Sequence, residues 1–330
     1  MEADLVRRAG IPFQTIPAAG LHGVGLRALP GNLARLMRGV FASRRILRDF
    51  RPDVLFFTGG FVAGPLAFAA RTPLLAPSKR IPVLVYVPDI EPGIALKSLA
   101  QLADRIAVTT EEAQKYFRKQ VVVTGYPVRA DLLQWTRASG RKALHLDDQL
   151  PVLMVFGGSK GARSINQALL PQLPELLKTA QVLHITGHLD WDTVQRETAG
   201  LAGEQRARYR AYPYLHGEMG AALAAADLAI ARAGASSLGE LPLYGLPAIL
   251  VPYPHAWRYQ KINADYLAER GAAIVLADEV LREELGRTVK ALLDNPAKRQ
   301  AMQTAMRALA RPQAAAAIAD QLMELGGQRQ

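Results

Sequence analysis

Val152-Leu-Met-Val-Phe156 is followed by Gly157-Gly-Ser159-Lys160-Gly-Ala162-Arg163-Ser164 and then by Ile165-Asn-Gln-Ala-Leu-Leu170. An uninterrupted apolar run of five residues suits a strand covered on both faces, as in a parallel sheet. The glycine-rich turn and the helical stretch behind it complete a strand, turn, helix unit. Such a unit points backbone N–H groups and the positive end of a helix dipole at an anion. Ser159 adds a hydroxyl, and Lys160 and Arg163 add charge. The spacing is neither that of a P-loop nor the G-x-G-x-x-G of dinucleotide sites.

The same alternation extends in both directions. Upstream, Val54–Phe57, Ile81–Tyr86 and Gln120–Thr124 read as strands, Ala100–Ala107 runs from a helix end into a further strand, and helical segments separate them. Downstream, Val182–Thr186, Leu228–Ala231 and Ala248–Val251 continue the pattern. Polar, mixed Arg137–Gln149 suits a linker between two such series. The fold class expected is therefore α/β, with two doubly wound, Rossmann-like domains facing a cleft. Their bounds are 1–146 and 147–330. The chain opens on a helix-like Glu2–Arg8 instead of a strand, so the first domain reads as lacking its opening βα unit.

The 330 residues suit two domains, and a composition of 50% apolar and 21% charged residues excludes wholesale disorder. With no cysteine, disulfides, thiolate metal sites and a cysteine nucleophile are ruled out. With acids and arginines at Glu2, Asp4, Arg7 and Arg8 no signal peptide is expected, and the apolar, uncharged run Val54–Ala70 is too short to span a membrane. The positive charge is unevenly shared. Residues 1–150 hold 21 Lys and Arg against 12 Asp and Glu, while residues 151–330 hold 19 against 17. Within the basic half, Leu33, Leu36, Met37, Val40 and Leu47 recur at helical spacing across Asn32–Arg51, flanked by Arg35, Arg38, Arg45 and Arg48. A helix of this kind either packs on its own domain or lies on anionic lipid headgroups. No nucleic-acid-binding pattern accompanies the charge, so nucleic acid is not an expected partner.

A second unit has more specific chemistry. Leu228–Ala231 leads into Arg232-Ala-Gly234-Ala-Ser236-Ser237 and the helical Leu238-Gly-Glu240. Ser236 and Ser237 are placed to cap that helix, and Glu240, about one turn in, is placed to accept hydrogen bonds from vicinal ribose hydroxyls. A polar, aromatic loop containing His255, Trp257, Gln260 and Asn263 follows the last core strand, at the edge where such sheets bind ligands. Asp190-Trp-Asp192 matches a D-x-D metal motif, but its place before Thr193-Val-Gln suits a helix start better. No metal site is expected.

Taken together, Gly157–Asn166, Ala226–Glu240, Gln260-Lys-Ile-Asn-Ala264 and Thr124-Gly-Tyr-Pro-Val-Arg129 resemble the motifs of glycosyltransferase family 28, as do Gly59–Pro65 and Ala103–Ala107. The resemblance runs along essentially the whole chain. It implies a GT-B arrangement, with UDP-N-acetylglucosamine held by the second domain and an undecaprenyl-linked lipid acceptor by the first. It further implies inverting, metal-free transfer without a cofactor, at the cytoplasmic face of the cell membrane, with an anionic membrane surface as a partner. Carried over by residue, Glu240 resembles the ribose-binding carboxylate, and Ser159, Arg129, Ser236 and Ser237 the diphosphate contacts. Gln260 and Asn263 resemble the sugar contacts, and Leu215 the position whose backbone reads uracil.

Three departures stand beside this match. The family's opening G-G-T-G-G-H is absent, Tyr86-Val-Pro-Asp89 stands in place of H-E-Q-N, and Tyr126 in place of Asn. The sequence names no catalytic base, although Asp89 and Glu91 are the nearest carboxylates. A donor-binding pseudoenzyme or scaffold, or another GT-B enzyme such as a glycolipid synthase, remain the alternative readings.

Overall fold

The structure, a computed structural model, describes residues 3, 6–7, 9–19, 29–60, 62–72, 80–158, 161–254 and 257–327. Ser159, Lys160, His22 and His255 lie outside these residues, as does most of Glu2–Arg8. In the first half of the chain the main elements are α1 (Leu29–Phe50), β1 (Leu55–Phe57), α2 (Ala63–Arg71), β2 (Val83–Val87), α3 (Ile94–Leu102), β3 (Arg105–Val108), β4 (Val121–Val123) and α4 (Arg137–Ala143). The second half continues with β5 (Val152–Phe156), α5 (Arg163–Leu169), α6 (Leu173–Leu176), β6 (Gln181–Ile185), α7 (Trp191–Glu197), α8 (Gly203–Arg208), β7 (Tyr209–Tyr212) and α9 (Met219–Ala225). It ends with β8 (Leu228–Ala231), α10 (Ser237–Tyr244), β9 (Ala248–Leu250), α11 (Trp257–Glu269), β10 (Ala273–Val275), α12 (Leu281–Leu293), α13 (Pro296–Ala308) and α14 (Ala314–Gly327).

Two parallel sheets result, one of four strands in the order β1-β2-β3-β4 and one of six in the order β10-β9-β8-β5-β6-β7. All pairings are parallel, with β5 flanked by β6 and β8. The expected α/β class with two Rossmann-like, parallel-sheet units holds, but among the described residues only the six-stranded sheet reverses its strand order, about β5, while the four-stranded sheet runs in sequence. All eight strands read from the sequence are present within a residue or two. The two that were missed, β7 and β10, are the edge strands of the larger sheet. Edge strands need less apolar sequence, and Tyr-Arg-Ala-Tyr for β7 shows it.

Alternation along the strands decides which layers cover each face. In β5, Val152 and Met154 join one core while Leu153 and Val155 join the other, so both faces of the larger sheet are sealed. In β2, Val83, Val85 and Val87 face the core beneath α1, α2 and α3, whereas Leu84 and Tyr86 face away. That second face is covered by the end of the chain. Ile318 and Leu325 of α14 pack against Leu84, Tyr86 and Ala107, and Arg105 bonds to Gln321 (2.7 Å) and Glu324 (2.6 Å). The C-terminal helix thus returns to the first sheet. No helix among the described residues is long and apolar enough to cross a membrane.

The stretch expected as a linker, Arg137–Gln149, is corrected by the structure. Thr136 and Ser139 form a capping box that starts α4, and α4 packs on α9 of the second domain. Arg141 is buried at 1% exposure, and its guanidinium donates to Asp227 Oδ2 (2.8 Å) and to the Asp147 carbonyl (2.6 Å). The same Asp227 oxygen accepts the N–H of Val152 (2.8 Å), which fixes the start of β5. Removing one partner of a buried ion pair strands the other charge. Asp227→Ala is therefore expected to cost about 3–5 kcal/mol in urea unfolding. A loss below about 1 kcal/mol would show that the pair contributes little to the fold.

Candidate functional site

In the larger sheet the chain leaves β5 towards β6 on one side and comes back to β8 on the other. The loops after β5 and β8 therefore diverge and open a crevice at the carboxyl edge, where doubly wound sheets bind ligands. A cavity of about 880 Å³ lies there, walled by Gly157–Gly158 and Gly161–Ser164 after β5, Gly234 and Ser236 after β8, and Gln260 on α11. Gly161 has φ +80°, and a Cβ on it would stand 2.2 Å from the Thr186 carbonyl oxygen. Only glycine lets the turn press that close to the strand beside it.

The N–H groups of Ala162, Arg163 and Ser164, which open α5, have no hydrogen-bond partner among the described residues. The same is true of Gly234 and Ser236 in the loop after β8. At the start of α10, by contrast, the N–H groups of Ser237, Leu238 and Gly239 are already satisfied by carbonyls three residues back. The free donors thus sit in the turn before the helix instead of in its first turn. Nor do Ser236 and Ser237 cap α10 as expected. The Ser237 hydroxyl donates to the Arg232 carbonyl (3.0 Å), and the Ser236 hydroxyl faces Glu240.

Glu240 is half-buried. Burial raises its pKa, while the Ser236 hydroxyl and the Arg129 charge pull it back down. Arg129 is exposed; it lies 3.4 Å from Asp131 and donates to the His216 carbonyl at 3.4 Å. Gln260 lines the cavity, its Oε1 accepting the N–H of Tyr253 (2.9 Å). Leu215 is buried at 7% beside His216, and Tyr214 stacks on His188 with centroids 5.9 Å apart. Asn263 is placed elsewhere. It is fully buried, and its amide hydrogens go to Asp89 Oδ1 (2.8 Å) and the Ala233 carbonyl (3.1 Å). Its Oδ1 accepts the N–H of Ile90 (3.2 Å). It joins the two domains instead of lining the cavity.

Two polar networks on the cavity wall were not legible in the sequence. Arg232, with 12% of its side chain exposed, pairs with Asp278 and donates to Ser164 Oγ (2.7 Å) and the Val251 carbonyl (3.2 Å). Opposite it, Asp190 accepts from Arg163 Nε (2.9 Å) and Asn166 Nδ2 (3.0 Å). Asp190 does open α7, as its sequence position suggested, while Asp192 is exposed. Behind Asp190 the chain of contacts continues from Asn166 Oδ1 to His184 Nε2 and from His184 Nδ1 to the Tyr209 hydroxyl, each at 2.9 Å.

Two parallel-sheet domains with a crevice at the switch point define a two-domain α/β protein, a class whose sheets bind ligands at that edge. Residues 152–322 match the glycosyltransferase family 28 C-terminal domain, and residues 1–108 the corresponding N-terminal domain. The chain belongs to glycosyltransferase family 28. It is 39% identical to the UDP-N-acetylglucosamine–N-acetylmuramyl-(pentapeptide) pyrophosphoryl-undecaprenol N-acetylglucosamine transferase of Roseiflexus sp. (strain RS-1), covering 100% of this chain and 82% of that one. The enzyme of the same name from Desulforudis audaxviator is 40% identical, with 99% and 88% covered. Among solved structures, Acinetobacter baumannii MurG superposes with a TM-score of 0.75 at 27% identity, covering 98% of this chain and 88% of that one.

The His184 network carries a pH signature. Complete burial lowers the imidazole pKa to about 3, against about 6.5 in an unfolded chain. Between those values the unfolded state binds the extra proton. Stability from this group is therefore complete above about pH 6.5 and falls as the pH drops towards 3, by about 1.4 kcal/mol per unit. Unfolding curves at pH 7, 6 and 5 should show this slope, and His184→Gln should flatten it by about one proton. An unchanged slope in the variant would assign the acid sensitivity to other groups.

Proposed function

We propose that the chain transfers N-acetylglucosamine from UDP-N-acetylglucosamine to the muramyl sugar of an undecaprenyl-diphosphate-linked peptidoglycan precursor, with inversion at the anomeric carbon. The observation that supports this reading is the switch-point cavity, whose walls after β5 and β8 carry N–H groups at Ala162–Ser164, Gly234 and Ser236 with no partner among the described residues, and whose Ser236 is hydrogen-bonded to Glu240. The names of the relatives given above fit the same donor and acceptor.

In this reading the diphosphate lies between Ala162–Ser164 and Gly234–Ser236, with Ser159, Ser237 and Arg129 adding contacts. Arg163 and Arg232 are each paired with a carboxylate, so the backbone donors supply most of the positive potential. Fixed donors aimed at the leaving diphosphate stabilise the charge that builds there without a metal. Glu240 holds the ribose, the Leu215 backbone reads the uracil and Gln260 contacts the sugar. Asn263 serves the site by tying α11, which carries Gln260, to the first domain.

Calorimetry with UDP tests the donor half. Glu240→Ala is expected to weaken binding by about 1–3 kcal/mol, the worth of a charged hydrogen bond, and EDTA to leave it unchanged. Equal affinities in wild type and variant would remove Glu240 from the site.

The acceptor half is read as docking on the cytoplasmic face of the membrane. On α1, Val40 and Leu47 are buried in the first domain, but Leu33, Met37 and Phe41 are 57%, 47% and 58% exposed. These three stand four residues apart and form one apolar stripe, with exposed Arg35 and Arg38 beside it. Arg45 and Arg48 contribute less, since both pair with Asp49. Sedimentation with vesicles containing anionic lipid should show binding that weakens at high salt and drops on Leu33→Ser with Phe41→Ser. A folded variant that binds as the wild type does would place the contact elsewhere.

A further inference from the structure

An inverting transfer needs a group that takes the proton of the attacking hydroxyl. The carboxylates along the cleft are unequal candidates for that task. Glu91 is only 2% exposed and is bonded by Arg258 (2.8 Å) and approached by Lys97 (3.5 Å). Burial alone would raise its pKa, but these two cations outweigh burial and hold it below the usual range. Asp190 is neutralised by Arg163 and Asp278 by Arg232. Glu240 faces Arg129 and sits on the donor side.

Asp89 differs from all of these. It lies two residues past β2, at the carboxyl edge of the first sheet, where parallel sheets place their functional groups. Its Oδ1 accepts from Asn263 Nδ2 at 2.8 Å, and the other Asn263 amide hydrogen goes to the carbonyl of Ala233. Ala233 directly precedes Gly234 of the cavity wall. The first domain thus extends a carboxylate across the cleft and tethers it beside the loop proposed to hold the leaving diphosphate. No cation among the described residues pairs with Asp89, and it is partly exposed. The titratable groups that face it are the Tyr86 and Tyr126 hydroxyls, which burial keeps protonated. Burial also raises the Asp89 pKa, and the neutral Asn263 amide offsets this only in part.

We propose that Asp89 is the general base of the transfer, an assignment that rests on the functional reading above. As the acceptor oxygen bonds to the anomeric carbon, its proton passes to the Asp89 carboxylate. The bond from that carbon to the diphosphate oxygen breaks, and its electron pair leaves on UDP. A carboxylate without a cationic partner keeps its basicity for this step, which a charge-paired Glu91 cannot do.

Asp89→Asn tests the assignment, because the amide oxygen still accepts the Asn263 hydrogen bond while losing the ability to take a proton. The full chain is assayed with UDP-N-acetylglucosamine and a detergent-dispersed polyprenyl-diphosphate-linked muramyl acceptor, and UDP affinity is measured by calorimetry. The variant is expected to lose at least about 100-fold in kcat, within the range for general base catalysis, with UDP affinity within about twofold of wild type. Asp89→Glu, which keeps the carboxylate, should turn over faster than Asp89→Asn. Retention of kcat within about threefold in Asp89→Asn overturns the assignment. So does a loss of UDP affinity in proportion to kcat, which would make Asp89 a positioning residue. A wild-type chain that binds UDP yet transfers no sugar overturns the functional reading, and the base assignment with it.

Discussion

The reversal of strand order about β5 is the constraint on which the rest of the structure depends. Because β6 lies on one side of β5 and β8 on the other, the loops that follow β5 and β8 cannot cover each other's N–H groups. The N–H groups of Ala162–Ser164, Gly234 and Ser236, residues that wall one cavity, have no partner among the described residues. Each helix start carries roughly half a positive charge, and unpaired donors in a crevice are costly unless water or an anion meets them. The two arginines on the wall do not change this balance, since Asp190 and Asp278 neutralise them. In the function proposed above, an anion in the crevice is held mainly through the backbone.

A second consequence concerns how the two domains are held. Helix α11 carries Gln260 into the cavity and Arg258 and Asn263 onto the first domain, so cavity lining and domain contacts share one element. Arg270, just past the end of α11, pairs with Glu112 of the first domain. At the end of the chain, α14 lies on the first sheet and covers Leu84, Tyr86 and Ala107. The cleft is therefore braced from α11 on one side and by the returning helix on the other. A displacement of the segment at Asp89–Glu91 would be felt at Gln260.

Much of the fold is legible in the sequence because a parallel sheet buried on both faces demands continuous apolar runs, and Val152–Phe156 or Val83–Val87 admit few other readings. What escapes are features set by long-range pairing. The α4 segment looks like a linker because Arg141 reads as a surface residue until Asp227, 86 positions away, neutralises it. Helix α14 is apolar enough to pack somewhere, but periodicity does not say on which sheet. Arg232 with Asp278, and Asn263 with Asp89, are likewise invisible as pairs. Among the expected site residues, Ser236, Ser237 and Gln260 line the cavity and Glu240 and Arg129 stand beside it. Asn263 is spent on the domain contact. The distinction between Asp89 and Glu91 also needed the structure, since it lies in the cations around Glu91 and in the partial exposure and Asn263 bond of Asp89.

The most direct test of this account is a crystal structure of the chain with UDP-N-acetylglucosamine bound. The account predicts the diphosphate across the switch point, within hydrogen-bond distance of the N–H groups of Ala162–Ser164 and Gly234–Ser236, and the ribose on Glu240. A nucleotide seated on the first sheet, or one that leaves those N–H groups to solvent, would contradict it.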